Sequence, residues 1–108
     1  MKKLSSLLFS ATLLASSSLA LASDSDQLEQ GKMLFSSTAK PIACSVCHTL
    51  EDAGAMGAIG PDLDELKPDA DRIRKAMMDG MGAMPSFADS LEESEREAII
   101  EYVVKVTQ

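Results

Sequence analysis

The residues best suited to chemistry lie in one five-residue stretch, Cys44-Ser45-Val46-Cys47-His48. It holds both cysteines and the single histidine of the 108-residue chain. The C-x-x-C-H pattern is typical of covalent haem attachment. Two thiols at this spacing can add to the two vinyl groups on one porphyrin edge, and the adjacent histidine then faces the iron from one side. The pattern therefore predicts one covalently bound haem c with His48 as an iron ligand.

Three other uses of the same residues are weaker. A zinc site needs four protein ligands, and two cysteines with one histidine leave it one short. A thioredoxin-like C-x-x-C belongs in a βαβ setting, and the sequence shows no alternation of strands and helices. A disulfide across so short a loop would restrict the unfolded chain less than one closing a longer loop.

The iron's second axial position cannot be filled by a second histidine, so it takes methionine or lysine, or stays open to water or gas. The methionines beyond residue 22 are Met33, Met56, Met77, Met78, Met81 and Met84. Met33 and Met77 fall on predicted helices and are expected to pack in the interior. Met56 follows His48 too closely to reach the opposite side of the iron.

Met84 is the favoured second ligand. It follows the predicted end of a helix at Gly80, and Pro85 biases it away from helical geometry. A loop of this kind can present one thioether rigidly. Met81 shares the loop and remains the alternative.

The first 22 residues have the layout of a secretory signal. A basic start, Met1-Lys2-Lys3, precedes a Leu- and Ser-rich run, and Ala20-Leu21-Ala22 gives the small-x-small pattern of a cleavage site. We expect cleavage after Ala22, export to the periplasm, and a mature domain of residues 23–108. An uncleaved membrane anchor is the weaker interpretation, because serines interrupt the apolar stretch before it reaches the ~20 residues that a span needs.

Beyond residue 22 the chain is acidic. All 17 acidic residues but only eight of the ten basic ones lie there, which gives a net charge of −9. This balance argues against nucleic acid, whose affinity comes largely from Lys and Arg. The same part has few aromatic residues, namely Phe35, Phe87 and Tyr102. Domains this small often depend on a disulfide, metal or cofactor to complete their core.

Apolar periodicity predicts three helices. They span about Asp26–Ser36, Pro68–Asp79 and Leu91–Val106, with Asp26 and Ser90 as N-caps. The β-branched tail of the third could also form a strand, but its apolar stripe favours a helix. The loop of Ser37–Lys67 is unusually long for a small domain, and it is acceptable only if it wraps around something.

From Gly31 to Val106 the sequence resembles the small bacterial class I c-type cytochromes. The resemblance rests on Gly31 and Phe35, the Cys44–His48 motif, Gly60-Pro61-Asp62-Leu63, Gly82-x-Met84-Pro85 and Tyr102-Val103. It implies an all-α, cytochrome c-like fold of about three main helices around one haem. Gly31 and Phe35 would meet Ile99 and Tyr102 where the terminal helices cross.

Around the haem, the resemblance implies that the Pro61 carbonyl accepts a hydrogen bond from the ring N–H of His48, and that Met84 is the sixth ligand. Many relatives place Trp or Tyr near the haem propionates. Here Tyr102 is the only such residue and is expected at the helix crossing. Lys67, Arg72 and Arg74 are candidate substitutes, none of them assigned to the propionates.

These features predict a soluble periplasmic carrier of single electrons, not an enzyme, working between redox protein partners as a monomer or weak oligomer. Its acidic surface would steer it towards basic docking patches. One alternative is the haem subunit of a periplasmic oxidoreductase, because residues 48–68 locally resemble the haem subunits of sulfite dehydrogenase-type enzymes. Another is an enzyme or gas sensor with an open iron site, which requires Met84 to be absent from the iron.

Overall fold

The computed structural model describes residues 24–108. The predicted signal and its cleavage site after Ala22 lie outside these residues. The helices are α1 Asp24–Met33, α2 Leu63–Leu66, α3 Ala70–Asp79 and α4 Glu93–Thr107. A π turn over Leu34–Thr38 continues α1, and 3-10 turns cover Cys44–Val46 and Glu51–Ala53. Strands β1 Thr49–Leu50 and β2 Ala55–Met56 form an antiparallel hairpin with Thr49 opposite Met56.

The three predicted helices are confirmed as α1, α3 and α4, but their first residues differ from the predictions. Asp26 lies inside the first turn of α1 instead of capping it. The N-cap of α3 is Asp69, whose carboxylate accepts from the backbone N–H of Arg72 at 2.8 Å. The N-cap of α4 is Glu92, which forms a capping box with Glu95, so the prediction of Ser90 as the N-cap is wrong.

The two terminal helices cross at a glycine. A Cβ added to Gly31 would lie 2.7 Å from the Cβ of Tyr102, and closer still to the carbonyl oxygen of Ala98. One helix can therefore approach the other only because this position has no side chain. Next to the crossing, the rings of Phe35 and Tyr102 meet edge to face with centroids 6.1 Å apart. The predicted crossing is confirmed.

The buried face of α4 explains why its β-branched tail is helical. Ile99, Tyr102 and Val103 are almost fully buried, at helical spacing along one face. This face packs against α1 and the π turn. Burial of the stripe outweighs the small intrinsic preference of Ile and Val for strands.

The segment predicted as one long loop is divided into short ordered pieces. The β1–β2 hairpin and α2 lie within it. The side chain of Asp52, between β1 and β2, accepts a hydrogen bond from the hydroxyl of Tyr102 at 2.6 Å. Lys32 in α1 lies 3.2 Å from the same carboxylate oxygen. Asp52 therefore ties the segment to both terminal helices.

An ion pair joins α3 to α4. The guanidinium of Arg74 donates to both carboxylate oxygens of Glu97, at 2.8 and 2.9 Å, and also to Asp71. Bidentate geometry of this kind holds the two helices in a fixed orientation. Within residues 24–108, no helix combines the length and apolar character needed to cross a membrane.

We expect Tyr102→Phe to lower the free energy of unfolding at pH 7 by about 1–2 kcal/mol, because it removes a hydrogen bond to a carboxylate. The hydrogen bond from Tyr102, followed by that from Lys32, holds the pKa of Asp52 below its usual value. Stabilisation from a lowered carboxyl pKa is present above the unfolded value of about 4 and disappears as the pH falls through the folded value. The difference between the variant and the natural protein should therefore close in acid.

Denaturant titrations from neutral to acidic pH measure this difference. Asp52→Asn is the second variant, and its loss of unfolding free energy relative to the natural protein should disappear over the same acidic range. If the loss of unfolding free energy in Tyr102→Phe stays constant with pH, the prediction is contradicted, because the loss then comes from packing alone.

Candidate functional site

A cavity of about 350 Å³ lies in the middle of the fold, between α3, α4, the π turn and the segment that precedes α3. Its walls are mainly apolar and include Phe35, Leu63, Ile73, Ile99 and Val103. Cavities formed by close-packed interiors are normally much smaller. The described core is thus arranged around a space that a sizeable apolar group would fill.

The C-x-x-C-H motif forms one side of this cavity. The backbone N–H groups of Cys47 and His48 both donate to the carbonyl of Cys44, at 3.1 and 2.9 Å. This tight turn brings all three side chains to the cavity wall. The two cysteines are not joined in a disulfide.

The surroundings of Cys44 favour an uncharged sulfur. Burial, the largest cause, raises the pKa of its thiol to about 11. A zinc-bound cysteine must be a thiolate, whereas a thioether carries no charge. The burial of this sulfur therefore suits a thioether. Among residues 24–108, there is no cluster of three or more His, Cys, Asp and Glu side chains that could hold a metal ion.

His48 is held in one orientation. Its Nδ1 donates to the carbonyl oxygen of Pro61 at 2.8 Å, which is the contact that the sequence resemblance implied. Because Nδ1 carries the proton in this bond, Nε2 is the nitrogen with a free lone pair. A hydrogen bond of this type fixes the ring and makes the other nitrogen a stronger ligand.

Two glycines let the following loop close around the motif. A Cβ added to Gly60 would lie 2.5 to 3.0 Å from the ring atoms of His48. A Cβ on Gly57 would lie 2.5 Å from the carbonyl carbon of Cys47. The N–H of Gly60 also donates to the Cys47 carbonyl at 2.7 Å. The loop thus packs directly on the histidine and on the backbone that carries it.

Met84 ends a tight hairpin on the cavity wall. The backbones of Met81 and Met84 exchange two hydrogen bonds, of 3.0 and 2.9 Å, across Gly82-Ala83. Gly80 and Gly82 both have positive φ, which the turn requires. Met84 is partly buried and packs against the core, whereas the side chain of Met81 is 74% exposed. Burial therefore favours Met84 over Met81 as the sulfur facing the cavity.

The structure places every predicted site residue on the cavity wall: Cys44, Cys47, His48, Pro61 and Met84. Of the substitute cations considered from sequence, Arg72 lines the cavity, whereas Arg74 is engaged by Glu97. Sequence analysis missed the part played by Gly60 against the imidazole. The adjacent Gly60-Pro61 pair was the only local sequence feature that pointed to this contact, because His48 lies 12 positions earlier in the chain.

This set of residues fits a covalently attached haem. The apolar walls suit a porphyrin, two cysteine sulfurs lie on one side, and the wall also carries an imidazole and a thioether, which are groups that can bind haem iron.

Comparisons with known proteins agree with this fit. Residues 26–103 match the family model described as cytochrome C oxidase, cbb3-type, subunit III. The chain is 30% identical over 79 residues to cytochrome c-551 of Halorhodospira halochloris, covering 72% of this chain and 99% of that protein. It is also similar to the crystal structure of the c-type cytochrome SorU from Sinorhizobium meliloti. That match has a TM-score of 0.71 and 44% identity, and covers 77% of this chain and 93% of SorU.

We expect Gly60→Ala to displace the His48 ring, because the new methyl group would occupy space within 3.0 Å of three ring atoms. The hydrogen bond to Pro61 should weaken or break. NMR of the ring Nδ1–H measures this as faster exchange with solvent. Ala58→Ser, at an exposed position of the same loop, is the control and should leave that resonance unchanged. An unaltered Nδ1–H in Gly60→Ala would contradict the close packing.

Proposed function

The chain belongs to the small class I c-type cytochromes, and from that premise we propose which residues hold its haem and where it works. Cys44 and Cys47 would form the two thioether bonds to the haem, and His48 and Met84 would bind its iron. The fold is the all-α cytochrome c-like fold, and the cofactor is one covalently bound haem c. The protein transfers electrons and is not itself an enzyme. Bound haem supplies one-electron exchange between ferrous and ferric iron.

The observation that carries this proposal is the meeting of all five residues on one apolar cavity. They come from three separate parts of the chain: residues 44–48, residue 61 and residue 84. Independent packing requirements would not bring both thiols, the single histidine and the partly buried thioether of Met84 to the same wall. A shared ligand explains the arrangement.

His48 and Pro61 act as a unit in this proposal. The Pro61 carbonyl takes the Nδ1 proton, at 2.8 Å, and leaves Nε2 for the iron. Gly60 packs against the ring and limits its rotation. The chain's own contacts therefore hold the imidazole in one orientation, with Nε2 free to bind iron.

Met84 completes the ligand pair. The hairpin hydrogen bonds to Met81 fix its backbone, and contacts with the core restrict its side chain. A methionine opposite a histidine raises the reduction potential of a haem. The sensor alternative would require this sulfur to be away from the iron.

The proposed setting is the periplasm, with residues 1–22 removed and residues 23–108 forming the working domain. Covalent attachment suits such a protein, since a dissociable cofactor would be lost by dilution. Its partners are redox proteins that donate and accept single electrons. A haem subunit of a periplasmic oxidoreductase would use the same site, and co-purification with a catalytic subunit from the natural source would identify that arrangement.

Two measurements on the exported protein test the proposal. The denatured chain should have the mass of residues 23–108 plus one haem, and the absorption spectrum should change from a ferric to a ferrous low-spin form on reduction. Cys44→Ala together with Cys47→Ala should release the haem on denaturation. A folded, colourless protein without added mass would overturn the proposal.

We expect Met84→Ala to convert the spectrum from six-coordinate low spin towards high spin, because it removes one axial ligand. The reduction potential should fall with it. Met81→Ala is the matched control on the same hairpin and should leave both properties unchanged. If Met81→Ala produces the shift and Met84→Ala does not, the exposed sulfur is the ligand and the assignment is wrong.

A further inference from the structure

The chain between Met84 and α4 has no regular secondary structure. Residues 85–92 form neither helix nor strand, so their peptide groups lack the partners that a helix or a sheet supplies. The segment still belongs to the core, because Phe87 and Leu91 are only 3% and 6% exposed. Pro85 and Phe87 also line the central cavity. Contacts that hold this segment therefore help to hold Met84, which directly precedes it.

One arginine supplies hydrogen-bond donors to this segment. Arg96 lies near the start of α4, and one nitrogen of its guanidinium donates to three backbone carbonyls. They belong to Phe87 at 3.3 Å, Ala88 at 3.0 Å and Leu91. Within residues 24–108, Arg96 forms no ion pair with a carboxylate. Its positive charge therefore acts on the carbonyls of one short segment, through hydrogen bonds stronger than those of a neutral donor.

Phe87 is held from both sides. Its backbone N–H donates to the carbonyl of Met77 in α3 at 2.7 Å, while its own carbonyl accepts from Arg96 in α4. Only two residues separate Phe87 from Met84, and the first of them is a proline, whose φ is fixed. An anchor at Phe87 therefore limits the positions that the backbone of Met84 can adopt.

We propose that Arg96 is a positioning residue for Met84, and that its hold on the following segment keeps the thioether on the iron against competing ligands. The inference deepens the proposed function and rests on it, since it takes Met84 as an axial ligand. Without the guanidinium, three carbonyls would lose a charged donor, and the segment would be free to move away from α4. The effect concerns only one side of the iron, because Pro61 and Gly60 hold His48 separately.

Competition with imidazole tests how firmly Met84 is held. When imidazole binds the ferric protein, one iron–sulfur bond breaks and one iron–nitrogen bond forms, with no change in oxidation state. Loss of the weak absorption band of a thioether on ferric iron follows this exchange and gives the affinity for imidazole. We expect Arg96→Gln to raise that affinity at least about fivefold, because it removes the charged hydrogen bonds to the three carbonyls.

Two further variants separate positioning from general stability. Arg74→Gln removes the same charge from another partly buried arginine that binds α4, through Glu97, but not the segment after Met84. It should lower the free energy of unfolding and leave the affinity for imidazole within about twofold of the natural value. Arg96→Lys keeps a charged nitrogen with three N–H groups but loses the rigid guanidinium, so its affinity should rise at least about twofold and stay below that of Arg96→Gln.

Two results would overturn the inference: an unchanged affinity for imidazole in Arg96→Gln, or an equal rise in Arg74→Gln, which would assign the effect to general loosening of α3 and α4. If Arg96→Gln does not fold, Arg96→Lys decides the matter, and an affinity equal to the natural value then counts against Arg96. Met84→Ala is the reference and should bind imidazole most tightly. If it binds no more tightly than the unaltered chain, Met84 is not the ligand, and it is the proposed function that fails.

Discussion

Filling the central cavity is the constraint on which this fold depends. A space of about 350 Å³ lined by apolar side chains is too large to remain empty in a domain of this size, and water would gain few hydrogen bonds there. The side chains cannot close it, because the only aromatic residues of the described part are Phe35, Phe87 and Tyr102. Haem is therefore both the redox group and a part of the hydrophobic core. Attachment through two sulfurs makes that part of the core permanent.

Close approach between chain segments builds the walls around this space. The absence of a side chain at Gly31 lets the terminal helices cross closely. At Gly60 it lets the backbone lie against the imidazole of His48. Each contact would be blocked by a single methyl group. The hydrogen bond from Tyr102 to Asp52 then ties the wrapping segment to α4, over 50 positions of sequence. The orientation of His48 consequently depends on the whole fold, since both terminal helices hold the segment that carries this residue.

The sequence predicted the features that are encoded locally. Helical periodicity identified α1, α3 and α4, and the spacing of Cys44, Cys47 and His48 identified the cofactor. Helix starts were less well predicted, because several neighbouring Asp, Glu and Ser residues can each cap a helix. At α4 the N-cap is Glu92 and not Ser90. The packing of Gly60 on the imidazole and the difference in burial between Met81 and Met84 depend on contacts distant in sequence, which no local pattern records.

The acidic composition has a structural cause that is separate from partner recognition. Asp62, Asp69 and Glu92 accept hydrogen bonds from free N–H groups at the starts of helices. Carboxylates there also interact favourably with the helix dipole. Capping of helix starts therefore accounts for three of the 17 acidic residues. The net charge includes the carboxylates that cap helices as well as any that bind a partner. Only the position of each carboxylate distinguishes these two roles. No Asp or Glu of the described residues lines the central cavity, so the carboxylates behind the net charge of −9 lie outside the cavity lining.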